Sequence, residues 1–96
     1  ATAELEIVRR KVPGLAEKLS GDIVAFVQKL RAADLFKRPG IAETIDWARA
    51  LVELDRRSLD AGVVNDTLGV LLKYQDDIAA VRGSEAARIL DEITAH

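Results

Sequence analysis

Apolar positions recur along most of this chain with the period of a helix, and the runs are separated by proline, glycine or short polar stretches. In residues 3–12, Leu5, Val8 and Val12 form one narrow stripe. Pro13 and Gly14 end it, because the residue before proline avoids helical geometry and glycine permits the turn after it. From residue 15 to residue 36, Leu19, Ile23, Phe26, Val27 and Leu30 return at helical spacing. Two starts compete for that helix. Ser20 would serve as N-cap, with Asp22 near the positive end and Leu19 and Val24 as a hydrophobic staple, or a continuous helix from Leu15 tolerates Gly21. Phe26 and Phe36 are both expected in the core, since neither sits among interleaved basic residues as a base-stacking platform would.

After Lys37, Arg38, Pro39 and Gly40 a third helix is expected over residues 41–54. Ile41, Ile45, Ala48 and Val52 make one of its stripes, and Trp47, Leu51 and Leu54 make a second beside it. So wide an apolar sector predicts a central helix with neighbours on two sides. Asp60 caps the next helix, with Leu59 and Val64 placed as a staple, and Val64, Leu68, Leu71, Leu72, Gln75 and Ile78 carry the rhythm to about residue 81. Gly69 inside it predicts another helix packed closely at that point. Tyr74 reads as a half-buried amphipathic residue. Arg82 and Gly83 close the element with a cation and a left-handed cap, and Ser84 opens a last helix with Ala86, Leu90 and Ile93 on one side. His96, at the chain end, is expected to be disordered. With no strand pattern and no repeat, the chain reads as an all-α bundle of four to five helices in one domain over residues 1–96. Residues 1–14 are its lead-in helix and 84–96 its terminal helix.

Composition narrows the function classes. The 96 residues support one core, and 49% hydrophobic with 31% charged residues is the balance of a folded helical domain rather than a disordered one. A net charge of -2 lacks the cationic surplus that displaces counterions from nucleic acid, and Arg9, Arg10 and Lys11 read as a solvated face. The absence of cysteine excludes disulfides and thiolate metal sites. No secretory signal or long apolar run is visible, so a soluble cytoplasmic protein with no membrane partner is expected. Methionine is absent even at position 1, which fits a piece of a longer chain.

No catalytic constellation is apparent. The single histidine is terminal, and Asp76 and Asp77 are helix neighbours about 100 degrees apart rather than converging ligands. Glu43 and Asp46, one helical turn apart, read as favourable charges near a helix start. The segments GLAEKLSG and GIAETID lack the phosphate-loop pattern and a preceding strand. The one candidate anion site is the start of the helix after Gly40, where free backbone N–H groups lie beside Lys37 and Arg38.

The segment RPGIAETIDWARAL, followed by LDAGVVNDTLGVLLKYQDDI, resembles the C-terminal lid subdomain of MoxR-type AAA+ ATPases, nearest to the branch associated with maturation of carbon monoxide dehydrogenase and related molybdenum enzymes. The upstream VPGLAEKLSGDIVAFVQKLRAADLF is similar to the preceding lid helices, so the likeness covers residues 5–82. The resemblance implies a lid that closes over ATP and Mg²⁺ held by an upstream core with Walker motifs, and that signals to neighbouring ring subunits. It implies chaperone-like work with a von Willebrand factor A domain protein on a metalloenzyme client, and no hydrolysis by this chain alone. Many MoxR relatives carry a sensor-two arginine in the third lid helix. With Gly40 laid on the glycine of that turn, its position falls on Thr44; Lys37 and Arg38 precede the helix and Arg49 lies beyond. Arg38, Glu43 and Thr44 are the residues expected near the nucleotide. The alternatives are a free-standing helical adaptor that holds a partner helix beside Trp47 and a helix-turn-helix DNA binder, the latter disfavoured by the acidic charge.

Overall fold

A computed structural model describes residues 2–94 and is helical throughout its regular structure. The helices are α1 (Thr2–Lys11), α2 (Glu17–Arg31), α3 (Ile41–Glu53), α4 (Ala61–Leu71), α5 (Gln75–Val81) and α6 (Ser84–Thr94). His96, expected to be disordered, lies outside the described residues. The all-α bundle stands as expected, with one more element because the helix expected over residues 60–81 is two. The chain is extended at Leu72 and Tyr74, and this break rotates the residues after it about the helix axis. Gln75 leaves the core stripe, while Asp77, Ile78 and Val81 turn inward.

α2 and α3 form the centre. α2 packs against α1, α3 and α6, and α3 against α1, α2 and α4, which meets the expectation of a helix with neighbours on two sides. One core joins every helix: Val8 and Val12 from α1, Phe26 and Leu30 from α2, Leu51 from α3, Leu68 from α4, Val81 from α5 and Ile89 from α6 are among its members. At its middle Trp47 is fully buried, its ring 5.4 Å from that of Phe26, and its indole N–H donates to Thr67 Oγ1 at 2.7 Å. Burying an indole is tolerated here because its one polar atom has a partner. A groove beside Trp47 is therefore closed by the chain's own helices.

Other local expectations need correction. Of the two starts open for α2, the continuous helix through Gly21 is the one formed, beginning at Glu17, so Ser20 is not its cap; the buried Ser20 hydroxyl donates to Glu17 O at 2.7 Å and accepts from Arg9 Nε at 3.1 Å. Gly69 is exposed and a side chain there would meet no atom within 4 Å, so no helix packs against it. Phe36, expected in the core, is 77% exposed. The capping signals fare better: Asp60 Oδ1 accepts from Val63 N–H at 2.9 Å, and Gly14 and Gly83 take the positive φ values that their turns require. No helix among the described residues is long and apolar enough to cross a membrane.

Candidate functional site

Gly40 is the N-cap of α3, with extended backbone at φ -94° and ψ -169°. Its N–H donates to Glu43 Oε1 at 2.8 Å, half of a capping box, since glycine has no side chain to return the bond. A side chain at residue 40 would sit 3.2 Å from that same oxygen, which explains why the smallest residue suits the position. The Gly40 N–H bond, helped by Glu43's own N–H and by the charges of Lys73 and Lys37, holds the Glu43 carboxyl below its ordinary range against the opposing effect of burial. The carboxylate also meets the positive end of α3, so an outside anion would find that end partly neutralised.

Thr44, one residue on, is fully buried. Its hydroxyl lies 3.0 Å from Gly40 O and 3.2 Å from Glu4 Oε2, sharing one proton between them, and accepts from Arg31 Nη2 at 3.4 Å. Arg31 organises the whole corner. Its Nη1 and Nη2 donate to the two oxygens of Glu4 at 2.7 and 2.6 Å, and its Nε donates to Pro39 O at 2.7 Å. Gln28 adds a longer bond to Glu4 at 3.4 Å. The Arg31 bonds hold Glu4 below the usual carboxylate range although burial opposes them, and raise Arg31 in turn.

The loop before α3 is fixed from a third direction. Asp77, 2% exposed, accepts from Phe36 N–H at 2.8 Å and from Lys37 N–H at 3.1 Å, one bond to each carboxylate oxygen. The turn that carries the two cations thus hangs from Asp77 at residues 36–37, from Arg31 at Pro39 and from Glu43 at Gly40. Of the residues expected near a nucleotide, Glu43 and Thr44 come together at the first turn of α3, where both are engaged within the chain. Arg38 stands apart and exposed. Ile41 and Ala42 are exposed as well, and their N–H groups precede the first intrahelical bond, Thr44 N–H to Gly40 O at 3.1 Å.

Sequence reasoning passed over Glu4 and Arg31 and weighed Asp77 only as a metal ligand. Glu4 had a signal, since it stands four residues before Val8 on the apolar side of α1. Asp77 had none locally, because its burial depends on the break at residues 72–74.

The other concavities carry less chemistry. An open cleft of about 420 Å³ between α2, α5 and α6 is lined by Lys29, Glu85, Arg88 and Glu92 among others. Four of its charges are paired, Lys29 reaching Glu92 at 3.5 Å and Arg88 pairing with both Glu85 and Glu92. No group of three or more His, Asp or Glu side chains is arranged to hold a metal ion among the described residues. Compared with known proteins, the chain matches no family model, no curated protein and no solved structure.

Proposed function

We propose that this chain is the helical lid of a MoxR-type AAA+ ATPase. It closes over ATP and Mg²⁺ bound by an upstream core and couples nucleotide state to neighbouring ring subunits during chaperone-like maturation of a metalloenzyme. The strings RPGIAETIDWARAL and LDAGVVNDTLGVLLKYQDDI support this reading. The observation that carries it is the turn of residues 36–40: its backbone is fixed at three points, it presents Lys37 and Arg38 to solvent, and it belongs to a chain with no phosphate loop of its own. In this reading Arg38 meets phosphate, while Glu43 and Thr44 position the turn that carries it. A von Willebrand factor A domain protein and the client enzyme would be the further partners.

The test uses the chain together with its upstream core. A charge-assisted phosphate contact contributes about 1.5–3 kcal/mol, so Arg38→Ala should weaken ATP binding by roughly tenfold or more. Unchanged nucleotide affinity and turnover in that variant would remove Arg38 from the site. Thr44→Ala is a poorer probe, because its buried hydroxyl acts on folding first.

A second reading, a free-standing helical adaptor, is favoured by one observation. Phe36 and Tyr74 are exposed side by side, so in this reading the partner would meet that pair rather than the buried Trp47.

A further inference from the structure

Phe36 is held out in water by a backbone that is not free to move. Its N–H is bonded to buried Asp77, the next N–H is bonded to the same carboxylate, and Pro39 is tied to Arg31 three residues on. Tyr74 is presented in a similar way, from the N-cap of α5, where its carbonyl accepts from Ile78 N–H at 3.1 Å. The two rings meet edge to face, centroids 6.3 Å apart at 88°, with Tyr74 52% exposed. With Gln75 and Asp76 they border a shallow depression of about 460 Å³. An exposed aromatic pair whose backbone is tied by hydrogen bonds on both segments is a pre-organised anchor site, where little backbone ordering would be required on binding.

The rim gives the partner's chemistry. Lys37 and Arg38 follow Phe36 directly and Lys73 precedes Tyr74; all three are exposed. The contact between the two rings brings the segments that carry these cations together, beside the turn that leads into α3. The half-buried Glu43 and buried Asp77 carboxylates lie behind the rim on backbone N–H groups, which do not cancel a carboxylate's charge, and Asp76 is the exposed acid beside the rings. The exposed side chains of the rim are thus mainly cationic on a chain of net charge -2. A second copy meeting it with the same face would bring cation against cation, and a nucleic-acid strand would carry phosphates past Asp76. A peptide escapes both penalties by placing an uncharged residue there.

We propose that Phe36 and Tyr74 form a docking saddle for a short acidic segment of a partner protein, whose apolar side chain lies against the two rings while flanking carboxylates meet Lys37, Arg38 and Lys73. The surface goes beyond the lid reading and needs no nucleotide.

The isolated chain, labelled with ¹⁵N, is titrated with a capped peptide bearing two central leucines between blocks of glutamate. Amide shifts should concentrate at Phe36, Lys37, Tyr74 and Gln75, and binding should weaken as salt is raised. Phe36→Ala and Tyr74→Ala should each weaken it about tenfold, in the range of interface anchors. Lys73→Glu should weaken it as well, and lysine-flanked peptide should gain on that variant. Thermal unfolding confirms that each variant folds, and these positions are exposed enough that it should be unchanged within a few degrees. Several results would overturn the proposal: no shifts, shifts elsewhere, full binding by Phe36→Ala, or equal binding by a serine-flanked peptide. Tighter occupation of the same amides by oligothymidylate, by anionic lipid vesicles or by a second copy of the chain would overturn it too.

Discussion

Arg31 grips Glu4 with both ends of its guanidinium, at 2.7 and 2.6 Å, joining α2 to α1 across 27 residues of sequence, while its remaining nitrogen holds Pro39 at the entry to α3. Glu4 is 6% exposed and Arg31 only partly buried, so water is kept from the pair chiefly on its carboxylate side. The lead-in helix is thereby part of the corner that shapes the 36–40 turn.

Removing one partner should be costly, because the other stays behind with its hydrogen bonds broken. Glu4→Ala should lower unfolding free energy by roughly 2–4 kcal/mol, out of the 5–15 kcal/mol usual for a small domain. Urea titration measures it. Glu4→Ala with Arg31→Met should lose less than the two single variants summed. Strict additivity would mean that the two side chains do not support each other.

Acid should act through the same groups. Glu4, through its Arg31 bonds, and Glu43, through Gly40 N–H, both ionise below the ordinary value of 4.5. A folded-state pKa depressed in this way gives stability that is complete above the unfolded value and is lost as pH falls through the folded one. The urea midpoint should therefore be insensitive to these groups near neutrality and decline below about pH 4.5. In Glu4→Gln that decline should be shallower, and an identical slope would contradict the assignment.

Asp77 is the structural acceptor for two successive amides. Asp77→Ala leaves two backbone donors, at Phe36 and Lys37, without their partner, at a cost of roughly 2–3 kcal/mol. Hydrogen exchange at those two amides should accelerate more than at core amides of α2. Asp77→Asn keeps one acceptor oxygen and should lose less.

The end of α3 holds a backbone that can be improved. Asp55 adopts φ 57°, with its N–H on Val52 O at 2.9 Å and the next N–H, of Arg56, on Leu51 O at 3.0 Å, the bond pattern of a Schellman cap. Glycine is the residue that adopts this conformation without steric cost. Asp55→Gly should stabilise the chain by up to about 1 kcal/mol, read as a raised thermal midpoint; destabilisation would mean that the aspartate side chain contributes more than its φ costs.

The elements set by short-range signals were legible in the sequence. Pro39 and Gly40 announced α3, Asp60 announced α4, and the two stripes of α3 gave its buried face at Trp47, Ala48 and Leu51 but not at Ile41 and Leu54, which the structure leaves exposed at the helix ends. The features that escaped depended on partners distant in the chain. Leu71 and Leu72 are both buried, so nothing local reveals that the chain becomes extended after them and rotates Asp77 inward. That rotation decides the fate of Phe36, whose apolar character argued for the core while Asp77 holds its backbone at the surface. Ser20 and Gly21 looked like a helix start, yet the Ser20 hydroxyl bonds back to Glu17 O within a continuous helix. At the candidate site, Glu43 and Thr44 were singled out by their place in the first turn and by the lid resemblance, whereas the bonds that engage Thr44 inside the chain could not be read without Glu4 and Arg31.

Whether this domain serves a nucleotide held by a neighbour is answered by reading the gene on the 5′ side of the codon for Ala1. A lid requires, in the same frame and within a few hundred codons, a strand followed by a GxxxxGK[ST] loop and then a Walker B acidic pair. A frame that starts beside Ala1, or one that extends upstream with no phosphate-binding loop, would contradict it.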